Sequence, residues 1–195
     1  MKIEKALVKE KRYRKVSFIV MVFLLICLPI LAYLANANTF FILIFLAIIE
    51  FLIILQIVRN FNFYYLKFKF SNNRFRFKCG MFASESLILC DRVALVHTNK
   101  AYENLEIIVV TDLRFKNKKL RPISKGLLQR YPELEREYLK LKKKNPQEIY
   151  YFQVIRRGAL NKYILLDNIY KNCVHSIYTA SAIENIKIAR GQNEI

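Results

Sequence analysis

Two apolar runs stand close together near the start of the chain. Residues 16–35 carry no charge, and residues 39–58 carry only Glu50. A helix rises about 1.5 Å per residue, so each run can cross a hydrocarbon layer of about 30 Å. Neither has the polar stripe that a helix facing water needs. The break between them, Asn36-Ala37-Asn38, is short, polar and uncharged. The pattern predicts a transmembrane helical hairpin over 16–58.

After the second run the period changes. Aromatic and basic residues alternate through 63–79 (FYYLKFKFSNNRFRFKC), as strands with two unlike faces do. Asn72-Asn73 suits a two-residue type I′ turn, which needs positive φ at both positions. With that turn, partners across the ribbon have numbers adding to 145. Phe70 then meets Phe75, Phe68 meets Phe77 and Leu66 meets Cys79, forming an apolar face. On the opposite face Lys69 meets Arg76, Lys67 meets Lys78 and Ser71 meets Arg74.

Further strands are expected at about 82–90, 105–111 and 113–123, with a short irregular or strand segment at 92–98. Ile107-Ile108-Val109-Val110 reads as a buried central strand. From Ser124 the chain turns helical. Pro132 suits a first turn. Glu133, Glu135 and Glu137 come early and Lys140, Lys142, Lys143 and Lys144 late, complementing the helix dipole. Leu134, Tyr138 and Leu141 make a narrow stripe, so this helix is expected on the surface. A strand over 148–156, a helix over 160–173 (although Tyr163–Leu166 alone also suits a strand) and a last helix opened by a capping box at Ser181-Ala182-Ile183-Glu184 complete the reading.

Charge adds an address. Residues 1–15 hold Lys2, Lys5, Lys9, Lys11, Arg12, Arg14 and Lys15 against Glu4 and Glu10, and Arg59 follows the second run at once. The connecting loop has no cation. Positive flanks stay on the cytoplasmic side, so the expectation is a two-span protein of the cell membrane with both termini cytoplasmic. A signal peptide is the rival reading, since Ala35-Asn36-Ala37 mimics a cleavage site, but its apolar region is too long and a second span follows immediately. The expected parts are a basic arm (1–15), the hairpin (16–58) and a cytoplasmic α+β domain (59–195). The chain carries a net charge of +18, and 26 of its Lys and Arg lie beyond residue 58, against 12 Asp and Glu. Anionic membrane lipid is therefore the first partner to consider. A protein partner or a second copy of the chain is also open, and nucleic acid ranks behind them.

Two features invite function. Lys67, Lys69, Arg74, Arg76 and Lys78 share one face of the ribbon. Like charges directly opposed destabilise a ribbon in isolation, so lipid headgroups or another partner would offset them, unless the side chains splay apart in water. Glu50 lies well inside the second span, where a carboxylate costs about 2.5–3.5 kcal/mol on insertion scales. It is expected to be protonated, to hydrogen-bond a backbone group or another subunit, to reach a headgroup, or simply to be tolerated.

Gly80, Phe82, Ile88, Arg92, Val93 and Val96, following two spans and a basic β hairpin, resemble the pattern of the bacterial pleckstrin-homology-like membrane proteins. The likeness covers Phe63 to about Ile123, and the C-terminal third is longer and more helical than the pattern. The resemblance implies a PH-like antiparallel β domain closed by a C-terminal helix, and no enzymatic activity. Some members are associated with protection against membrane-active bacteriocins.

No catalytic, cofactor or metal motif stands out. The four cysteines, Cys27, Cys79, Cys90 and Cys173, lack zinc spacing and read as free thiols. Cys173, His175 and Asp167 are near in sequence, which is weak evidence for a nucleophile and its base. The expected function is a non-enzymatic membrane-anchored module binding the anionic inner leaflet or a protein partner, in self-protection on the family analogy. The alternative is a membrane-tethered nucleic-acid-binding or regulatory protein.

Overall fold

The computed structural model describes residues 2–35, 39–101 and 104–194. Asn36-Ala37-Asn38, the expected hairpin loop, lies outside them. The two apolar runs form helices α1 (Ile3–Leu34) and α2 (Phe40–Tyr64). Both are long and apolar enough to cross a membrane, and none of their most apolar windows is covered by the rest of the protein. Pro29 lies inside α1. Both helices outrun the apolar segments at one end. The basic arm continues α1, and Arg59–Tyr64 continue α2. There Phe18 packs edge-on against Phe61, with ring centroids 5.3 Å apart, and Arg14 lies over the Tyr64 ring.

Beyond α2 the chain makes two sheets. The first is the meander β1 (Leu66–Ser71), β2 (Arg74–Cys79) and β3 (Ser86–Leu89). Asn72 and Asn73 take φ of 48° and 62°, and β1 pairs with β2 in the register that the turn predicts. The aromatic face packs inward, with Phe75 stacked between Phe70 and Phe77 at 4.6 and 4.5 Å. The second sheet contains β4 (Val93–Ala101), β5 (Asn104–Thr111), β6 (Arg121–Pro122), β7 (Tyr151–Ile155) and β8 (Ile177–Tyr178), in the order β6-β7-β5-β4-β8. Its pairs are antiparallel except β4 with β8.

Helices cover both faces of the second sheet, which is why β5 is buried throughout its length beyond Asn104. On one face Val96, Ile107, Val109 and Ile155 share a core with Phe75, Phe77 and Ile88 of the first sheet. Helices α5 (Asn161–Asn172) and α6 (Ala180–Ala189) close that core through Tyr163, Leu165, Leu166, Ile169, Ile186 and Ile188. On the other face Leu95, Ile108 and Val110 share a core with Leu134 of α4 (Pro132–Lys144) and with Tyr131, the residue joining it to α3 (Lys125–Arg130), whose Leu127 packs against them. The Leu134-Tyr138-Leu141 stripe therefore seals a second core. The helix is a covering layer, with Leu134 buried and Arg136, Leu139, Lys140, Lys143 and Lys144 exposed on its outer side.

Three local expectations change. The third strand begins at Ser86, because Gly80 at φ 102° turns the chain and leaves Phe82 80% exposed. Residues 113–120 form a loop: Lys116 takes φ 46° and Asn117 is buried to donate to Gln153. Only Arg121–Pro122 of the strand expected at 113–123 pairs with a neighbour. The last helix is capped by Thr179, whose side chain accepts from the Ala182 N–H, and Ser181 donates instead to the Thr98 carbonyl.

The helices and the domain meet without a linker. Ile3, 4% exposed, is part of the core that holds Phe75 and Tyr163. Ala6 is buried, and Glu10 accepts from the Leu160 N–H. At the foot of α2, Asn62 Oδ1 accepts from the Met81 N–H at 3.0 Å and from Arg157 at 3.3 Å. Gly158 N–H donates to the Phe63 carbonyl and Gly80 N–H to the Tyr65 carbonyl, both at 2.9 Å.

Candidate cationic face and the buried polar clusters

The five cations proposed from the sequence lie on one face of β1–β2, as the register requires. Lys67, Lys69, Arg74 and Arg76 are exposed and Lys78 is half-buried. Leu87 and Leu89 of β3, paired with Arg76 and Arg74, extend the same face with two half-buried aliphatic side chains. Among the described residues no carboxylate forms an ion pair with any of the five.

The structure relieves part of the repulsion internally. Tyr65 sits on this face just ahead of the ribbon. Lys67 and Lys78 both place their ammonium groups over its ring, at 5.5 and 5.7 Å from the centroid. The negative ring face attracts both charges. Among the described residues Lys69, Arg74 and Arg76 have no such neighbour, and they surround a recess of about 160 Å³ with Ser71 and Asn72 at the hairpin tip.

Glu50 is in the middle of α2, half-exposed, and has no hydrogen-bond or ion-pair partner among the described residues. Cys173, His175 and Asp167 do not come together. Cys173 is buried against Cys90, thiol to thiol, whereas His175 is exposed. Asp167 is held by Arg190 and Lys171, which keep its carboxyl below its ordinary range despite the opposing push of burial. Cys27 and Cys79 are also free thiols.

The structure assembles a polar cluster that the sequence reading missed. His97 of β4 is buried, with Nδ1 lying 3.0 Å from Thr179 Oγ1, 3.3 Å from Ser181 Oγ and 3.7 Å from Glu133 Oε2. All three groups approach the same ring nitrogen. A hydrolytic relay sets its nucleophile and its acid on opposite nitrogens, and this arrangement does not. Its effect is to tie β4 to α4 and α6, with Glu133 Oε1 also accepting from the Ser181 N–H. Burial holds the imidazole below its usual pKa, against the pull of Glu133. Thr179, Ser181 and Glu133 are far from His97 in sequence, so local pattern carries no sign of the cluster.

A second network joins the two sheets. Asn117 donates to Gln153 Oε1, and Gln153 Nε2 donates to Ser86 Oγ, both at 2.9 Å. On the opposite face of the second sheet Glu106 accepts from the Tyr131 hydroxyl at 2.7 Å and pairs with Arg156 at 2.9 Å.

No protein-family model, curated protein or solved structure matches the chain. The resemblance over 63–123 thus stands on the residues that carry it.

Proposed function

We propose that this protein is a non-enzymatic membrane-anchored module. In this reading α1 and α2 span the cell membrane, both termini are cytoplasmic, and the cationic face of the first sheet engages the anionic inner leaflet. The observation that carries it is the placement of Lys67, Lys69, Arg74, Arg76 and Lys78. They share one face without a paired carboxylate, and that face starts three residues past α2. The apolar run ends at Val58, so Tyr64 stands about 9 Å further along the helix. The first cations then lie within roughly a Debye length of the headgroups, close enough to feel an anionic surface.

Three further observations support the reading. Burial of Ile3 in the domain core requires the N-terminus and the domain to share one side of anything the hairpin crosses. The bonds from Asn62 and Phe63 into the domain hold its orientation to the hairpin. Met81 and Phe82 are exposed apolar side chains beside Asn62, about 6 Å beyond the apolar run. That is where an interface anchor belongs.

A PH-like domain is the fold reading that accompanies this proposal. Two largely antiparallel sheets enclose one core and C-terminal helices close it. The α3–α4 layer is an addition to that plan. Self-protection against a membrane-active peptide rests on the family analogy alone.

The test uses the whole chain in nanodiscs of phosphatidylcholine, with or without phosphatidylglycerol, and follows amide hydrogen exchange in β1 and β2. Anionic lipid should slow exchange across the ribbon. It should have no such effect on the variant with Lys67, Lys69, Arg74, Arg76 and Lys78 changed to Gln. Equal exchange in both lipids would sink the leaflet-binding reading. Protection by added RNA or DNA that persists in anionic discs would favour the nucleic-acid alternative.

A further inference from the structure

A larger cationic site lies away from the ribbon face. Between the edge of the first sheet, β7 and α3 is a cleft of about 720 Å³. Six cations line it: Lys118, Lys119, Arg121, Arg130, Arg156 and Arg157. Among the described residues Glu106 is the one carboxylate paired with any of them, through Arg156. Lys119 donates to the Ser84 carbonyl, Arg157 to Asn62, and Arg130 lies over the Tyr131 ring. Lys118, Arg121 and Arg130 are exposed and form no ion pair among the described residues.

The inner wall is built from fixed polar groups. Ser86 is 1% exposed and Gln153 8%, and both line the cleft. Gln153 spends one amide hydrogen on Ser86 Oγ and its oxygen on Asn117. Ser86 accepts that bond, which leaves its hydroxyl hydrogen for an acceptor. Cations from three separate segments thus converge around buried side chains that still have donors to offer. Glu106 offsets Arg156; keeping the other five like charges together costs free energy unless an anion offsets them. Charge-assisted hydrogen bonds from Lys and Arg suit the oxygens of phosphate. The volume is that of a small-ligand site, well above what a single ion needs.

We propose that this cleft binds a phosphate-bearing anion of small-molecule size. Its position offers two sources. Cys79 and Ala83 line one end, and Arg157 there bonds Asn62 at the foot of α2, so a phospholipid headgroup could enter from the bilayer. The other source is a soluble phosphate ester entering from water. The binding site is separate from the ribbon face and does not depend on the leaflet reading; only the lipid source does.

The probe is inorganic pyrophosphate, titrated calorimetrically into the full chain in phosphatidylcholine nanodiscs. Two triple variants remove equal charge. The cleft variant is Lys118→Gln, Arg121→Gln and Arg130→Gln, chosen because these side chains are exposed and hold no structural bond across the seam. The ribbon variant is Lys69→Gln, Arg74→Gln and Arg76→Gln. Wild type should bind, the cleft variant should bind about tenfold more weakly or worse, and the ribbon variant should stay within about threefold of wild type. Thermal unfolding of each variant establishes that it is folded. If phosphatidylglycerol in the disc weakens pyrophosphate binding to the ribbon variant, the natural ligand is a lipid headgroup. If it does not, the ligand is a soluble phosphate ester. Absence of binding by wild type, or equal loss in both variants, overturns the proposal.

Discussion

Lys67 and Lys78 are direct cross-strand partners, and both ammonium groups lie over the ring of Tyr65. A pair that should repel is held by one aromatic side chain preceding the strand. Each cation–π contact at an exposed site is worth about 0.5–1 kcal/mol, comparable to the cost of opposing like charges. Tyr65→Leu is therefore expected to lower stability by about 1 kcal/mol in denaturant unfolding. With Lys67 and Lys78 both changed to Gln, the same substitution should cost clearly less. An unchanged cost would show that Tyr65 acts by packing alone.

Gly158 marks the seam between the helices and the domain. It takes φ 117°, and a Cβ there would stand 2.5 Å from Leu66 Cδ2 and 2.7 Å from Leu66 Cβ. Gly158→Ala should destabilise by about 3 kcal/mol or more, combining backbone strain with the clash. Leu66→Ala in the same chain should not restore stability, because the Leu66 Cβ and the positive φ both remain. Recovery to the level of the Leu66→Ala single variant would contradict this account.

The first turn of α1 belongs to the domain core. Ile3→Ala is expected to cost about 2–4 kcal/mol, the range for a truncated buried aliphatic residue. Val8→Ala, on the same helix but 62% exposed, should stay within about 0.5 kcal/mol of wild type. Limited proteolysis should cut the Ile3→Ala protein early in α1. Equal effects of the two substitutions would mean that the arm does not dock.

Lys162 is fully buried, and Nζ donates to the Arg156 carbonyl at 2.8 Å. Burial holds its pKa down to about 8, against the pull of Glu106, Cys79 and Glu10. In the unfolded chain it titrates near 10.5. Between these values the unfolded state binds more protons, so this group makes stability rise with pH, by at most about 1.4 kcal/mol per unit. Below about pH 8 both states hold the proton, and the destabilisation is fully present. Lys162→Met should therefore be more stable than wild type at pH 7, and the gap should narrow from pH 8 to 9 in thermal unfolding. A constant gap would show that Lys162 does not titrate in this range.

Much of this architecture was legible locally. Twenty uncharged residues declare a long apolar helix whatever surrounds them. Asn72-Asn73 and the strict alternation beside it determine the β1–β2 register, because a slip of one residue would turn every Phe outward. The β-branched run in β5 announced a strand covered on both faces. Misreadings arose where backbone conformation overrode periodicity: positive φ at Gly80 and Lys116 turned the chain where apolar spacing still suggested strand.

The cationic face is a local property, since alternation alone puts Lys67, Lys69, Arg74, Arg76 and Lys78 on one side of a ribbon. The docking of Ile3, the His97 cluster and the six-cation cleft are not. Their members come from segments up to about 185 residues apart, Ile3 and Ile188 sharing one core, and nothing in the spacing within any one segment brings them together. The sequence by itself determined the apolar helices, the ribbon register and the charge. Only tertiary packing decided which distant cations share a cleft and that the basic arm is a helix built into the core, because those contacts depend on which buried faces meet.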